Sequence, residues 1–372
     1  MKRYDVVVVG LGAMGSAALY HLARRGARVL GLERFEPGHD RGSSHGETRV
    51  IRLGYFEHPS YTPLLRRAYA LWRDLEAAAG EPLLHITGIA EIGRPDGVLV
   101  QGTLASSRAH SLPHEVLDAG ELMRRYPAFH LPRDYAGVVQ PDGGFLAAEA
   151  AVKAHQNLAR LAGAELLFGA AVQDIGVSPA GVRITTNNDV IHAATAVLAA
   201  GAWNKKLLPD LTMLRVTRQV MAWFEPRETA CFEADKFPVF MLESRLGIHY
   251  GFPLTASGLK VSKHFHQDET VDPDIYNRSV TAEDQSLIRA GLAYLPAANG
   301  PLRSASTCLY TMTPDGDFII DWLPEAANIL VASPCSGHGF KFSAVIGEIV
   351  ADLATSGKTA HDISRFRLGR FR

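Results

Sequence analysis

The chain has 372 residues, of which 47% are hydrophobic and 21% charged, an ordinary globular composition with room for two domains. Lys plus Arg (38) nearly balances Asp plus Glu (39), and the net charge of −1 argues against a nucleic-acid surface or a polybasic membrane anchor. The three cysteines, Cys231, Cys308 and Cys335, fit no metal site or disulfide framework, and no apolar stretch is long enough to span a bilayer. We therefore expect a cytoplasmic protein with no metal site.

The N-terminal segment predicts a unit of strand, turn, helix and strand. β-Branched residues predict a first strand that is buried on both faces, and apolar residues at helical spacing predict the helix that follows. Gly26 is suited to the left-handed conformation that ends such a helix. The predicted elements are a strand over residues 4–9, a helix over 13–25 and a strand over 27–32.

The turn of this unit predicts a dinucleotide site. Gly10, Gly12 and Gly15 have the G-x-G-x-x-G spacing, which lets the backbone approach a pyrophosphate at the N-terminus of the helix. Glu33 stands at the end of the second strand, where its carboxylate accepts hydrogen bonds from a ribose. The motif does not distinguish FAD from NAD, and a glycine-rich turn without a ligand is the structural alternative.

The rest of the chain predicts that this nucleotide-binding domain is discontinuous. Strands of the buried, parallel type recur at both ends and in the middle of the chain, whereas the segments between them have a more antiparallel character. Further predicted strands lie at residues 165–168, 181–185, 195–200, 239–242, 249–252 and 328–332, and further helices at 149–162, 282–295 and 340–356. We expect an α/β fold with a nucleotide-binding domain (1–85, 143–212 and 317–372) and a second, mostly β domain (86–142 and 213–316).

Three cations follow these motifs in positions that favour an anion site. Arg49 and Arg52 lie three residues apart, and arginines bind carboxylates bidentately, although a surface ion-pair network is the alternative. Lys341 lies in the first turn of a predicted helix, where the helix dipole disfavours a cation. That placement indicates a role beyond solubility, with a solvated lysine as the alternative. The preceding turn, Cys335–Gly339, exposes backbone N–H groups that suit an electron-rich ring edge.

Taken together, these motifs resemble the monomeric sarcosine oxidase and N-methyltryptophan oxidase family, which are FAD-dependent amine oxidases of the D-amino-acid-oxidase-like fold group. The resemblance extends over essentially the whole chain. Its most specific segments are HGETRVIR (45–52), YGFP (250–253), GLK (258–260) with His264, CLYTMTPDGDFIID (308–321), SGHGFKF (336–342) and HDISRFRLGRF (361–371). The resemblance implies a Rossmann-like FAD-binding domain, an inserted, mostly antiparallel substrate domain, and a monomer whose partners are a small amino acid and O2.

The resemblance also implies a covalent cofactor. In that family a cysteine in the segment matching Cys308 holds FAD through a thioether, whereas a cysteine in an apolar strand is by itself usually a core residue. Cys335 stands where the family usually has an apolar residue, so it is a rival candidate. The predicted cofactor-binding residues are Gly10, Gly12, Ala13, Met14, Gly15, Glu33, Arg34, Ser43, His45, Thr48, Arg49, Val172, Gly201, Cys308, Met312, Gly337, His338, Gly339, Phe340 and Lys341.

For the substrate, the resemblance implies that Arg52 and Lys341 clamp a carboxylate and thereby orient the reacting carbon. It implies that Lys260 promotes the reaction of the reduced flavin with oxygen, since a cation stabilises the charge that develops there. Residues lining the substrate cavity would be Met241, Tyr250, His264 and Tyr310. The predicted catalytic residues are Lys260, Arg49, His264, Tyr250 and Tyr310.

The implied reaction is the oxidation of an N-methyl amino acid such as sarcosine. A hydride passes to the flavin, water hydrolyses the imine to an aldehyde and an amine, and O2 is reduced to H2O2. Three alternatives stay open: an oxidase of glycated (fructosyl), cyclic or longer secondary amino acids, a dehydrogenase with another electron acceptor, and a flavin-binding subunit without activity. His249 and Lys263 depart from the sarcosine oxidases and favour the first. The third would be expected to lack Arg52, Lys260 and Lys341, all of which are present.

Overall fold

The computed structural model describes residues 3–371, and these form three β-sheets with helices packed against them. The strands are β1 Arg3–Val9, β2 Val29–Leu32, β3 Thr48–Ile51, β4 Leu84–Ile86, β5 Ile89–Gly93, β6 Glu115–Asp118, β7 Ala136–Gln140, β8 Gly144–Ala147, β9 Glu165–Leu167, β10 Val172–Ser178, β11 Gly181–Thr186, β12 Val190–Leu198, β13 Arg215–Phe224, β14 Val239–Ser244, β15 Gly247–Gly251, β16 Leu259–Lys263, β17 Leu302–Met312, β18 Ile319–Leu323 and β19 Ala326–Ser333. The α-helices are α1 Ala13–Arg24, α2 Thr62–Ala79, α3 Val98–Ala109, α4 Ala119–Arg125, α5 Ala148–Leu161, α6 Asn204–Leu207, α7 Ala282–Gly291 and α8 Ser343–Ser356.

The first sheet is centred on β1, whose consecutive valines are buried. Strands β12, β1, β2 and β9 run parallel in that order, and β19 is also parallel to β12, as expected for a sheet covered on both faces. Strands β10, β11 and β18 extend the sheet in antiparallel fashion. Helix α1 packs against α5 and α8. The carboxyl ends of β1 and β2 therefore meet at one edge, where ligands of such sheets bind.

The second sheet has eight strands in the order β17-β13-β16-β15-β14-β5-β7-β6. All its pairings are antiparallel except that of β5 with β14. A separate hydrophobic cluster, which includes Phe224, Phe237 and Phe240, packs against it. A small third sheet consists of β3, β8 and β4. Strand β3 contains Arg49 and directly precedes Arg52.

The predicted α/β class, with a Rossmann-like unit and a mostly antiparallel sheet, is confirmed. The helix predicted over 340–356 was wrong at its start, because Phe340–Phe342 form a 3-10 turn and α8 begins only at Ser343. The helix predicted over 282–295 ends at Gly291, before two short 3-10 turns. The domain boundaries stay a prediction, and residues 1, 2 and 372 lie outside the described part. Among the described residues, no helix is long and apolar enough to cross a membrane.

Candidate active site

A cleft of about 510 Å³ runs from the carboxyl ends of β1 and β2 to the second sheet. The glycine-rich turn lies at one end, where Gly10 has a φ of +89° and an added Cβ atom would lie 2.7 Å from the carbonyl oxygen of Ala199. Helix α1 begins at Ala13 with no acidic residue in its first turn, so the positive end of its dipole favours an anion. This end of the cleft is built for close approach of backbone to phosphate.

Glu33 lies beside this turn and is 7% exposed. Its two carboxylate oxygens accept from the backbone N–H groups of Leu11, at 2.9 Å, and Phe35, at 3.1 Å. Burial alone would raise the pKa of Glu33, but a hydrogen bond from His39 and those two N–H groups hold it below its ordinary value. The carboxylate is therefore ionised and ready to accept hydrogen bonds from a diol.

Arg52 lies toward the far end of the cleft and is 2% exposed. Its Nη2 is 2.7 Å from Oε2 of Glu57, and its Nε is 2.9 Å from Oε1 of Glu91. Its guanidinium also lies over the rings of Tyr55 and Phe56, with 4.6 Å and 5.0 Å to the ring centroids. Burial disfavours the charged form, but the two carboxylates outweigh it and raise the pKa of Arg52. Arg52 is a permanent buried cation.

Lys341 faces the same end of the cleft and is 4% exposed. Its Nζ donates to the carbonyl oxygen of His338 at 2.6 Å and lies 3.4 Å from the hydroxyl of Tyr55. Burial, together with the neighbouring positive charge of Arg52, lowers the pKa of Lys341 to about 7. An incoming anion would restore its full charge, which makes Lys341 a strong partner for a carboxylate.

The turn before Lys341 is held by unusual backbone geometry. Ser336 has a φ of +49° and Gly337 a φ of +81°, and an added Cβ on Gly337 would lie 2.5 Å from the ring of Tyr310. The Nδ1 of His338 lies 2.6 Å from the Tyr55 hydroxyl, and burial lowers the pKa of His338 to about 4. The turn is thus fixed with a neutral histidine, and its backbone is presented to the cleft.

Lys260 lies beside the cleft, in β16, rather than in its wall. Its Nζ donates to the carbonyl oxygens of Gly46, at 2.6 Å, and Thr48, at 2.9 Å. Glu149, at the start of α5, accepts from the N–H of Gly46 at 2.6 Å, and thereby holds the same loop from the other side. Burial, followed by the positive charge of Arg49, lowers the pKa of Lys260 well below its ordinary value.

Two of the three cysteines line the cleft, and all three are free. Cys308 is 4% exposed in β17, and burial raises the pKa of its thiol against the opposing effect of Arg49 and Lys260. Cys335 is half-buried, its surroundings raise the pKa of its thiol, and Ser333 donates a hydrogen bond to its sulfur at 3.7 Å. Arg49 and Lys260, which favour a thiolate, act on Cys308.

An aromatic wall lies near Cys308 in the second sheet. Tyr250 and Tyr310 line the cleft together with His264, whose Nδ1 is 3.2 Å from the Tyr310 hydroxyl. Burial lowers the pKa of His264 to about 3 and raises that of both tyrosines. These three side chains are therefore neutral at physiological pH, and positive charge at this end comes from arginine and lysine side chains.

The structure brings most of the predicted site residues into this single cleft. Those that line it are Gly10, Gly12, Ala13, Met14, Glu33, Arg34, Ser43, Arg49, Arg52, Val172, Gly201, Met241, Tyr250, His264, Cys308, Tyr310, Gly337, His338, Gly339, Phe340 and Lys341. Those that do not line it are Gly15, His45, Thr48, Lys260 and Met312. Gly15 packs against the turn itself, because an added Cβ would lie 1.7 Å from the carbonyl oxygen of Gly10.

The structure places several further residues here that the sequence motifs did not indicate. Glu57 lines the cleft beside Arg52, and Glu91 lies behind Arg52 without lining it. Glu149 fixes the loop that Lys260 contacts. A glutamate inside the apolar run of β5 was the one local signal for Glu91, since a buried carboxylate needs a cation. Nothing local marked the other two.

A dinucleotide-type turn at one end of a cleft and two buried cations at the other are typical of dinucleotide-dependent enzymes that act on anionic substrates. The chain belongs to the family of FAD dependent oxidoreductases, whose family model matches residues 5–353. The cleft fits FAD: the glycine turn leaves no room for a Cβ, Glu33 is an ionised ribose acceptor, and two thiols lie in the wall.

Individual relatives agree with this assignment. The chain is 40% identical to a monomeric sarcosine oxidase of Bacillus sp. (strain B-0618), over 99% of this chain and 96% of the relative. It is 39% identical to an N-methyl-L-tryptophan oxidase of Salmonella arizonae, over 99% of both chains. Among solved structures, it is similar to NikD, an unusual amino acid oxidase essential for nikkomycin biosynthesis, with a TM-score of 0.87 and 30% identity over 99% of this chain and 98% of that one.

Proposed function

We propose that this protein is an FAD-dependent oxidase of small N-methyl amino acids, with sarcosine as the first candidate substrate. The observation that carries the proposal is the convergence of Arg52 and Lys341, both buried, on one end of a cleft whose other end is a dinucleotide turn. The relatives named for sarcosine and for N-methyl-L-tryptophan support this substrate class. When bound, FAD supplies the hydride acceptor and afterwards reacts with O2.

The residues of this chain would bind and orient the substrate. Arg52 and Lys341 would hold its carboxylate, and this contact places the N-substituent toward the neutral wall of Tyr250, Tyr310 and His264. Because the pKa of His264 is about 3, this ring is too weak a base to keep a proton taken from the amine. The substrate amine would therefore lose its proton without the help of His264, and the wall would exclude water from the reacting carbon.

Lys260 and Cys308 are proposed to act on the cofactor side. Lys260 would hold the loop at Gly46 and Thr48 against the flavin, and negative charge developing on oxygen would favour its ammonium form, which in turn stabilises that charge. Cys308 would form the covalent thioether to FAD: burial raises the pKa of its thiol, but Arg49 and Lys260 oppose this rise and would favour the thiolate as the bond forms. Cys335 lacks such neighbours among the described residues. We further propose a monomeric, cytoplasmic enzyme, in line with the relatives named monomeric and with three free cysteines.

Anaerobic titration of the yellow protein tests this proposal. Sarcosine, larger N-methyl amino acids, fructosyl glycine and proline are added in turn while the visible flavin band is recorded, and air is then admitted. Bleaching by an N-methyl amino acid, with H2O2 formed on aeration, is the expected result. Bleaching only by fructosyl glycine or proline would overturn the substrate class. Bleaching without H2O2 would overturn the oxidase and favour a dehydrogenase.

A further inference from the structure

Glu91 is a charged residue in the interior of an apolar strand. It is fully buried in β5, with apolar neighbours on both sides in the sequence. Its Oε1 lies 2.9 Å from Nε of Arg52, and its Oε2 accepts from Nε2 of Gln140 at 2.7 Å. Gln140 in turn accepts from the N–H of Gly54 at 2.8 Å. Glu91 is therefore built into the support of Arg52, and it does not line the cleft.

Arg52 thus already forms ion pairs with two carboxylates before any substrate binds. Glu57 contacts its Nη2 from the cleft side, and Glu91 contacts its Nε from behind. With Lys341, whose full charge an incoming anion restores, this end of the cleft then holds two cations and two carboxylates, so their charges nearly cancel before the charge of the anion itself is counted. A substrate carboxylate entering it would be the third anion beside two cations, and like charges at short range in a dry site repel strongly.

The two carboxylates are not equivalent. Burial opposes ionisation of Glu57, but the charge of Arg52 keeps the pKa of Glu57 below its ordinary value. Burial dominates at Glu91 and raises its pKa to about 7, although the charge of Arg52 and a hydrogen bond from Gln140 favour its ionised form. The charged and titratable groups that face Glu91 are Arg52, Glu57, Tyr55 and Lys341.

We propose that Glu91 is a positioning residue that lowers the affinity of the Arg52–Lys341 clamp for carboxylates, acting from behind Arg52. The proposal rests on the proposed function, because it takes the clamp as the carboxylate site. The carboxylate of Glu91, 2.9 Å from Nε of Arg52, neutralises part of the charge of Arg52, so that a bound carboxylate is held less tightly. An amino acid product keeps the carboxylate of its substrate, so a weaker clamp also releases the product sooner. Binding that is equally strong for substrate and transition state brings no gain in turnover.

The test is the binding of two small probes to the flavin-loaded protein at pH 8. Acetate carries the charge of a substrate carboxylate, and acetamide has nearly the same shape without the charge. In Glu91→Gln the dissociation constant for acetate, followed by the flavin absorbance, should fall about tenfold. This change lies toward the lower end of the affinity changes found between coupled sites. The dissociation constant for acetamide should not change. The matched control is Glu243→Gln on the adjacent strand, whose carboxylate accepts instead from the N–H of Leu99.

Each outcome decides the proposal. Unchanged or weaker acetate binding in Glu91→Gln overturns it, as does equal tightening of acetate and acetamide, because packing rather than charge would then be the cause. If acetate perturbs the flavin in none of the proteins, the carboxylate clamp of the proposed function fails as well. Should Glu91→Gln not retain flavin, Gln140→Met serves instead: it removes a hydrogen bond that favours ionised Glu91, and acetate binding must tighten in the same direction.

Discussion

The clamp lysine should cost this protein stability, and removing its charge should reveal that cost. Lys341 is 4% exposed, and in the part of the chain that the structure describes it forms no salt bridge. Burial lowers its pKa from 10.5 to about 7. Because a tenfold change in proton affinity corresponds to about 1.4 kcal/mol, keeping Lys341 charged costs about 5 kcal/mol of folding free energy.

Replacement by methionine, which has a similar length and no charge, should recover most of that cost. Loss of the hydrogen bond to the His338 carbonyl oxygen destabilises the variant by about 1–2 kcal/mol. Lys341→Met should therefore be more stable than the wild type by about 3 kcal/mol. The gain depends on pH. Since the folded-state pKa lies below the unfolded one, the cost is fully present below about pH 7 and disappears as the pH rises toward 10.5.

Thermal unfolding of the flavin-loaded proteins, with and without acetate, measures this effect. Lys341→Met should melt a few degrees above the wild type at pH 7 and close to it at pH 10, and acetate should raise the melting temperature of the wild type alone. Lys358→Met, at an exposed position after α8, is the matched control and should show no change. A Lys341→Met protein that melts at or below the wild type at pH 7 would refute this reasoning.

Two further predictions concern the flavin side of the cleft. Lys260→Met should leave anaerobic flavin reduction by substrate largely intact and slow reoxidation by air about 100-fold, as measured by stopped flow, and unchanged reoxidation would exclude the proposed role. Cys308→Ser should release its FAD on acid precipitation, whereas the wild type and Cys335→Ser should keep the yellow colour in the pellet. Retention of flavin in the pellet by Cys308→Ser would show that another residue carries the covalent bond.

The part of the site nearest the N-terminus could be predicted from local sequence alone. The turn at Gly10, the helix after it and the acid at Glu33 are consecutive, and each is specified by its own neighbours. The parallel partners of β1 are buried on both faces and therefore carry an apolar signal of their own. The start of α8 was missed because Phe340 and Lys341 fit a helix by composition, whereas Phe340–Phe342 form a 3-10 turn directly after the turn at Ser336 and Gly337.

The support of the clamp could not be predicted, because its parts meet only in the folded sheet. Arg52 follows β3 of the small sheet, whereas Glu91 and Gln140 belong to paired strands of the second sheet. Nothing in the neighbourhood of Glu91 indicates which cation it would reach. A motif comparison finds Arg52 and Lys341 because they would contact the substrate. Glu91 lies behind Arg52, outside the lining of the cleft, and acts only through the charge of Arg52. The affinity of such a site is therefore decided partly by residues outside its lining, and a match between lining residues is weaker evidence for a shared substrate than for shared chemistry.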